Sequence, residues 1–264
     1  MADEMLLSEI KDGVLALTLN RPKANAFNTE LTKTLTKALK DAGRNDAVRA
    51  VLLRAEGKIF SAGQDVTEFG GGEHISFRAH LLRTYNPLIK QMRALEKPIL
   101  AATQGATAGA ALGVVLAADL RIASDDARYF VGFSGIGLAP DSAVSLMLPS
   151  LIGLGRAAEA AYLNRPIEAQ QALDWGLVNA VVPTDELQDT AWEWARKLAA
   201  GPTGAIGLTK RDFNRSLLPH LDEVLDYEAY NQETAGYGSD HAEGLAAFLE
   251  KRDPDYVKAA KKKG

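Results

Sequence analysis

The chain alternates between short apolar runs and amphipathic stretches in its first half, and becomes helical in pattern in its second. Val14–Leu19 is an apolar run that stops at Asn20-Arg21-Pro22, which predicts a strand. Asn28 then stands as an N-cap before Leu31, Leu35, Ala38 and Leu39, which share one face of a helix closed by Gly43. Val48–Arg54 and Ile99–Ala102 predict two more strands, and Leu120–Ala123 and Tyr129–Val131 two shorter ones. Helical periodicity over Phe77–Leu95 predicts a helix that Pro87 should kink or interrupt. An all-apolar helix is expected from about Gly109 to Ala117. Strands alternating with helices argue for an α/β chain.

After Ser142 the pattern predicts helices over Ala143–Leu151, Ala157–Leu163, Glu168–Trp175, Glu186–Ala199, Gly204–Arg215, Leu221–Ala235 and His241–Leu249. Only Val178–Val182 reads as a strand among them. Amphipathic helices of this kind predict packing against the core or a neighbouring subunit. Gly70-Gly71-Gly72 reads as a mobile loop.

Ile99–Ala118 is uncharged and about as long as the roughly 20 residues a membrane helix needs. Gly105, Gly109 and Gly113 even repeat the small-residue spacing of packed membrane helices. The run is nevertheless built of Ala, Gly and Thr, begins beside Pro98, and breaks at Gln104-Gly105. Each interior glycine also costs a helix about 1 kcal/mol. A buried strand followed by a buried helix is the better reading.

The 264 residues carry a net charge of −4, which disfavours nucleic acid as a partner, and the basic tail Lys258–Lys263 reads as a solvated end. There is no cysteine, so disulfides, thiolate nucleophiles and cysteine-ligated zinc are excluded. The histidines at 74, 80, 220 and 241 show no metal-ligand spacing, and no metal is expected. The opening Met1-Ala-Asp-Glu-Met lacks the basic and apolar segments of a signal peptide, so a cytoplasmic enzyme is expected.

Three stretches carry candidate chemistry: Ser61–Asp65, Gly105–Gly113 and Gly137–Ser142. The first two are poor in side chain, which lets backbone amides approach a ligand, and aimed amides stabilise a developing oxyanion. The third places a lone carboxylate before a helix. Each has a plainer reading: a tight turn at Gly63 capped by Asp65, close helix packing at Gly109-Ala110-Ala111, and an N-cap at Asp141. Together they suggest proton transfer next to a carbonyl.

The order of landmarks strengthens the chemical reading. Leu19–Pro22, Asn25–Phe27, Phe60–Asp65, Gly105–Gly109, Ala118-Asp119, Ile136–Leu138 and Trp175–Val178 together make the chain similar to the crotonase (enoyl-CoA hydratase/isomerase) superfamily over nearly its whole length. The resemblance implies a crotonase-like ββα superhelix over residues 1–200 and a helical trimerisation region over 201–264, in a homotrimer or dimer of trimers. It implies an acyl-CoA thioester as substrate, with no further cofactor and no membrane partner. The thioester oxygen would sit between the amides of Gln64 and Ala110. Substrate and CoA contacts carry over to Lys23, Ala24, Ala26, Ala62, Gly63, Asp65, Val66, Gly109, Phe133, Pro140, Phe248 and Lys251. The acyl pocket would be lined from Gly70 to His80.

The departures sharpen this. The two glutamates that hold water in hydratases of the family fall, by register, on Gly113 and Phe133, neither of which ionises. Asp141 stands at hand instead, with Ser142 free to serve as the cap. The run Phe133–Ser142, with Tyr85–Leu88 and Gly207–Lys210, resembles the ring-1,2-epoxyphenylacetyl-CoA isomerase branch, where this aspartate is the acid/base. The implied substrates are 2-(1,2-epoxy-1,2-dihydrophenyl)acetyl-CoA of phenylacetate degradation and Δ3–Δ2 enoyl-CoA. Apolar neighbours Phe133, Ile136 and Leu138 should raise the aspartate's pKa. Competing readings are an enoyl-CoA hydratase of fatty-acid β-oxidation, a non-catalytic acyl-CoA-binding subunit, and a dehalogenase of the chlorobenzoyl-CoA type. The last is disfavoured because its halide-binding tryptophan falls on Phe133.

Overall fold

The computed structural model describes residues 4–21, 23–69 and 76–261, so the glycine run at 70–72 and the last lysines of the tail lie outside the described residues. Strands β1 (Leu6–Lys11) and β2 (Val14–Leu19) form a hairpin at Asp12-Gly13, where both residues have positive φ (53° and 78°). Such an Asp-Gly pair matches the twist of the flanking strands. The pattern of apolar positions missed β1 because it is an edge strand on which only Leu6 is buried. Helix α1 (Thr29–Arg44) begins where expected, with the Asn28 side chain accepting from the Leu31 amide. Strand β3 (Ala50–Ala55) follows.

Periodicity at 77–95 resolves into two helices, α2 (Phe77–Arg83) and α3 (Tyr85–Ala94). The break falls at Thr84 (φ −124°, ψ −84°) rather than at Pro87. Pro87 lies in the first turn of α3, where a missing N–H removes no helical hydrogen bond. Next come β4 (Ile99–Thr103), β5 (Ala106–Ala108), the fully buried α4 (Ala110–Ala117), β6 (Leu120–Ser124) and β7 (Arg128–Phe130). The second half holds α5 (Val144–Ile152), α6 (Leu154–Tyr162), the two-residue β8 (Ile167–Glu168), α7 (Ala169–Asp174) and β9 (Ala180–Val182). Helices α8 (Leu187–Ala200), α9 (Thr203–Leu217), α10 (Leu221–Gly236), α11 (Ser239–Glu250) and α12 (Tyr256–Lys261) close the chain.

The main sheet has the order β1-β2-β3-β4-β6-β9, antiparallel at β1/β2 and parallel elsewhere. Its central strands are buried on both faces, as their unbroken apolar runs require. One face carries Val14, Ala16, Leu52, Leu100 and Ile122 against Leu187, Ala191 and Ala195 of α8. The other packs Leu17, Val51, Leu53 and Ala101 into the larger core under α1, α3 and α4. A smaller sheet, β5-β7-β8, stands beside it. Among the described residues no helix is long and apolar enough to cross a membrane.

Two buried cations fasten the parts together. Lys210 Nζ reaches Asp119 Oδ2 (2.8 Å) and the carbonyl of Met92, while Arg93 binds Asp119 Oδ1 at 2.9 Å. Burial draws the Lys210 amine down to about 8, against the pull of Asp119. Gly207, one turn before, has no Cβ because the Glu96 backbone occupies that space. The Gly207–Lys210 phrase therefore anchors α9 to the end of α3. Arg121, buried at the foot of β6, gives its donors to the carbonyls of Leu177 and Ala118.

Candidate active site

The loop after β3 is stitched into the fold by backbone pairing. Phe27 bridges Gln64 and Ser61 bridges Thr107, extending the small sheet toward α1. Gly63 takes φ 91° and lies so close to β5 that a Cβ would come within 2.6 Å of the Ala108 carbonyl oxygen. Here glycine is required for close approach. Asn25 holds the neighbouring loop through the carbonyls of Glu56 and Ile59, and Ser61 Oγ donates to the Asn25 carbonyl. Asp65 Oδ2 pairs with Arg21 at 2.8 Å, and Oδ1 accepts from Thr67. Burial pushes the Asp65 carboxyl up, but the bonds from Thr67 and Arg21 outweigh it and hold the group below its ordinary value.

With Phe27 bonded to Gly63 and Asp65, the Gln64 amide between them points away from this pairing. Among the described residues neither the Gln64 N–H nor the Ala110 N–H meets a backbone or side-chain acceptor. Ala110 is the first residue of α4, and Gly109 before it turns the chain in at φ 56°, ψ −129°. The side chain of Gln64 is held firmly: its Oε1 accepts from Tyr85 Oη (2.7 Å) and His80 Nε2 (3.2 Å), and its Nε2 donates to Glu68 (2.9 Å). Burial depresses the His80 pKa, against the charge of Glu68.

The third wall is the segment from Gly132 to Asp141, which includes a 3₁₀ turn at Ser134–Ile136. Helices α11 and α12 grip it. His241 Nδ1 donates to the Ile136 carbonyl at 2.8 Å, and Tyr256 Oη to the carbonyls of Gly135 and Ser134 at 2.9 and 3.1 Å. The chain then turns sharply through Ser142 (φ 56°) and Ala143 (φ 61°), left-handed conformations disfavoured for residues with a Cβ.

Asp141 projects from that turn with 6% of its surface exposed. Its Oδ2 accepts from Gln232 Nε2 at 2.8 Å and its Oδ1 from Ser142 Oγ at 2.7 Å. Burial raises its pKa, the two donors lower it, and the net value is about 6. Ser142 therefore does not cap α5, as the chain order suggested. The N-cap is Ala143, which has no capping atom, and the orphan amides are met from α10. Glu228 Oε2 accepts from Ala143 N at 2.7 Å, and Oε1 from Ser145 N at 3.0 Å. Glu228 is itself pushed up to about 7, mainly by burial and further by the charge of Asp141.

These walls enclose a cavity of about 460 Å³. Ala26, Ala62, Gln64, Asp65, Val66, Gly109, Ala110, Phe133, Asp141 and Phe248 all line it. Lys23, Ala24, Gly63, Pro140 and Lys251 are not among the lining residues; Lys251 is exposed, at the C-cap of α11. Gly113 faces Ser142, not the cavity. Of the acyl-pocket stretch from Gly70, Phe77 and His80 line the cavity, and 70–75 lie outside the described residues. Sequence reasoning missed Gln232, Asn164, His241 and Leu245 on its wall. For Gln232 a signal existed: with Glu228 it interrupts the buried stripe of Leu225 and Ala229 on α10. Polar groups on such a stripe need a partner.

A parallel-stranded α/β core, two unpaired amides and one buried carboxylate around a single cavity form a site suited to chemistry at a carbonyl. The chain belongs to the enoyl-CoA hydratase/isomerase family, whose model matches residues 9–259, and it has the crotonase fold. It is 38% identical to the 1,2-epoxyphenylacetyl-CoA isomerase of Escherichia coli K12, over 96% of this chain and 98% of that one. It is 35% identical to 4-chlorobenzoyl coenzyme A dehalogenase-2 of an Arthrobacter species, over 95% of this chain and 92% of the other. An enoyl-CoA hydratase from Mycobacterium avium subsp. paratuberculosis K-10 superposes with a TM-score of 0.87 at 31% identity, covering 96% of this chain and 98% of that structure.

Proposed function

We propose that this enzyme is an acyl-CoA isomerase in which Asp141 shuttles a proton on the thioester. One observation carries the reading. Of the two carboxylates lining the cavity among the described residues, Asp65 is tied to Arg21 and held acidic, whereas Asp141 is buried with its pKa near 6. A base poised near working pH is the efficient one. Asp141 takes the α-proton, the C–H electron pair moves onto the thioester oxygen, and the amides of Gln64 and Ala110 hold that oxyanion. The proton then returns at another atom of the substrate. Such donors typically contribute about 2.7–4 kcal/mol each to the transition state.

The reaction is redox-neutral, so the proposal includes no cofactor beyond the CoA thioester. The substrates we favour are 2-(1,2-epoxy-1,2-dihydrophenyl)acetyl-CoA and Δ3-enoyl-CoA. The apolar wall of Phe130, Phe133, Ile136 and Leu138 suits an aromatic or alkenyl acyl group. Water addition is disfavoured because Gly113 and Phe133 offer no group to hold the nucleophile. Exposed Tyr162, Leu163, Phe213, Leu217, Tyr227 and Tyr230 support assembly as a homotrimer or dimer of trimers.

Turnover of the epoxide thioester, a Δ3-enoyl-CoA and crotonyl-CoA tests the assignment. Isomerisation of either of the first two, with little hydration of crotonyl-CoA, is expected. Hydration at about 10²–10³ per second without isomerisation would overturn it in favour of a hydratase. Tight binding of all three with no turnover would favour a non-catalytic binding subunit.

A further inference from the structure

We propose that Gln232 is a positioning residue for Asp141: its amide orients the carboxylate toward the cavity and keeps it ionised near neutral pH. This rests on the reading of Asp141 as the base. Gln232 lies on α10 with 2% of its surface exposed, and its Nε2 donates to Asp141 Oδ2 at 2.8 Å. Its Oε1 is buried with no partner among the described residues. A buried amide whose carbonyl oxygen goes unpaired is unfavourable for folding, and an apolar side chain of similar length would fill the same space without that cost. The contact with Asp141 is therefore what the amide contributes.

The same helix secures the other side of the base. One turn before Gln232, Glu228 holds the amides of Ala143 and Ser145, fixing the strained turn that follows Asp141. One element thus holds Asp141 at its carboxylate and fixes the turn that follows it. Burial drives the carboxyl toward the neutral form, and Gln232 and Ser142 are the donors that oppose it. A hydrogen bond to the charged form favours that form. Among the described residues, the other titratable groups facing Asp141 or its cavity are Glu228 on α10, Tyr85 on α3, His80 on α2, His241 on α11, and Asp65. Helix α4, packed against the turn, presents none.

The test is the pH–rate profile of isomerisation in Gln232→Leu, beside thermal unfolding and a parallel Asp141→Asn control. Loss of the amide should move the acidic limb up by about one pH unit. Turnover then falls about fivefold at pH 6 and stays within about twofold of wild type at pH 8.5. KM should change little, and at pH 5, where Asp141 is largely protonated in both proteins, the melting temperature should not fall. Gln232→Met, with a more flexible side chain, replaces the leucine variant if that one does not fold. A folded variant whose limb stays at the wild-type midpoint overturns the proposal. So does a loss of turnover equal at every pH with a lowered melting temperature, which marks a structural role alone. If Asp141→Asn turns over like wild type, the base assignment itself fails. If that control is inactive and the Gln232 limb is unmoved, only the present inference fails.

Discussion

Gly113 and Ser142 interlock: a Cβ on Gly113 would stand 2.5 Å from both the Cβ and the carbonyl oxygen of Ser142. The position where a water-holding glutamate would fall is filled by the turn that carries Asp141. Glycine at position 113 and the turn that carries Asp141 are thus two sides of one packing arrangement.

Gly113→Ala should consequently damage both stability and rate. Overpacking of this kind costs about 1–3 kcal/mol, and relief by shifting Ser142 would carry Asp141 with it. Urea unfolding should show the loss, and isomerisation should fall at least about tenfold, since sub-ångström to 1 Å misplacements are that costly. Wild-type kinetics in a fully folded Gly113→Ala protein would show that the turn moves without consequence for the base.

Asp141→Asn keeps the size of the side chain and removes the proposed base. Isomerisation should drop by about 10²–10⁴-fold, while the dissociation constant of a non-reactive CoA thioester stays within a few-fold. Retained turnover would show Asp141 to be a structural element of the turn.

The raised Asp141 pKa also makes a stability prediction. A carboxyl whose value rises from 3.8 unfolded to about 6 folded favours the protonated native state. Native stability is therefore lost as pH climbs between those values and remains reduced above them, by about 3 kcal/mol on linkage. Asp141→Asn should melt higher than wild type at pH 8, with the gap closing toward pH 4. A variant that melts lower at pH 8 would contradict the assigned cost of burying this charge.

Lys210 should matter for folding and not for chemistry. Its ammonium, with a side chain 4% exposed, neutralises Asp119 away from the cavity. Lys210→Met leaves that carboxylate with Arg93 and the Ile99 amide, at a cost of about 3 kcal/mol, the low end for breaking a buried pair. KM should be unchanged in the folded fraction, and Asp119→Asn added to Lys210→Met should recover part of the loss. Equal stability of wild type and Lys210→Met would remove the pair from any account of how α9 is held.

Truncation before Leu245 removes Leu245 and Phe248 from the cavity wall and Tyr256 from the carbonyls of Ser134 and Gly135. CoA-thioester binding should weaken and the assembly loosen together, by calorimetry and light scattering. A truncated protein with unchanged affinity and mass distribution would deny the C-terminal helices both roles.

The local pattern of the chain determined the central strands, the N-cap of α1, the buried apolar α4 and the three small-residue or acidic stretches around the cavity, whereas α1 runs past the expected stop at Gly43 to Arg44 with Asn45 as its C-cap. These rest on neighbours in sequence: a period of two or 3.6, a capping side chain, a glycine where φ must be positive. It missed β1, whose exposed edge has no apolar run, and the break at Thr84, which no turn residue marks. Tertiary structure alone decided what each polar group meets. Gln232 and Asp141 are 91 positions apart, Lys210 and Asp119 likewise, and Glu228 caps a helix 85 residues before it. A hydrogen bond spans about 3 Å whatever the length of chain between its ends, so no local pattern encodes it. Asp141 was visible as a carboxylate in the sequence; burial and the donors of α10 and Ser142 set its pKa near 6.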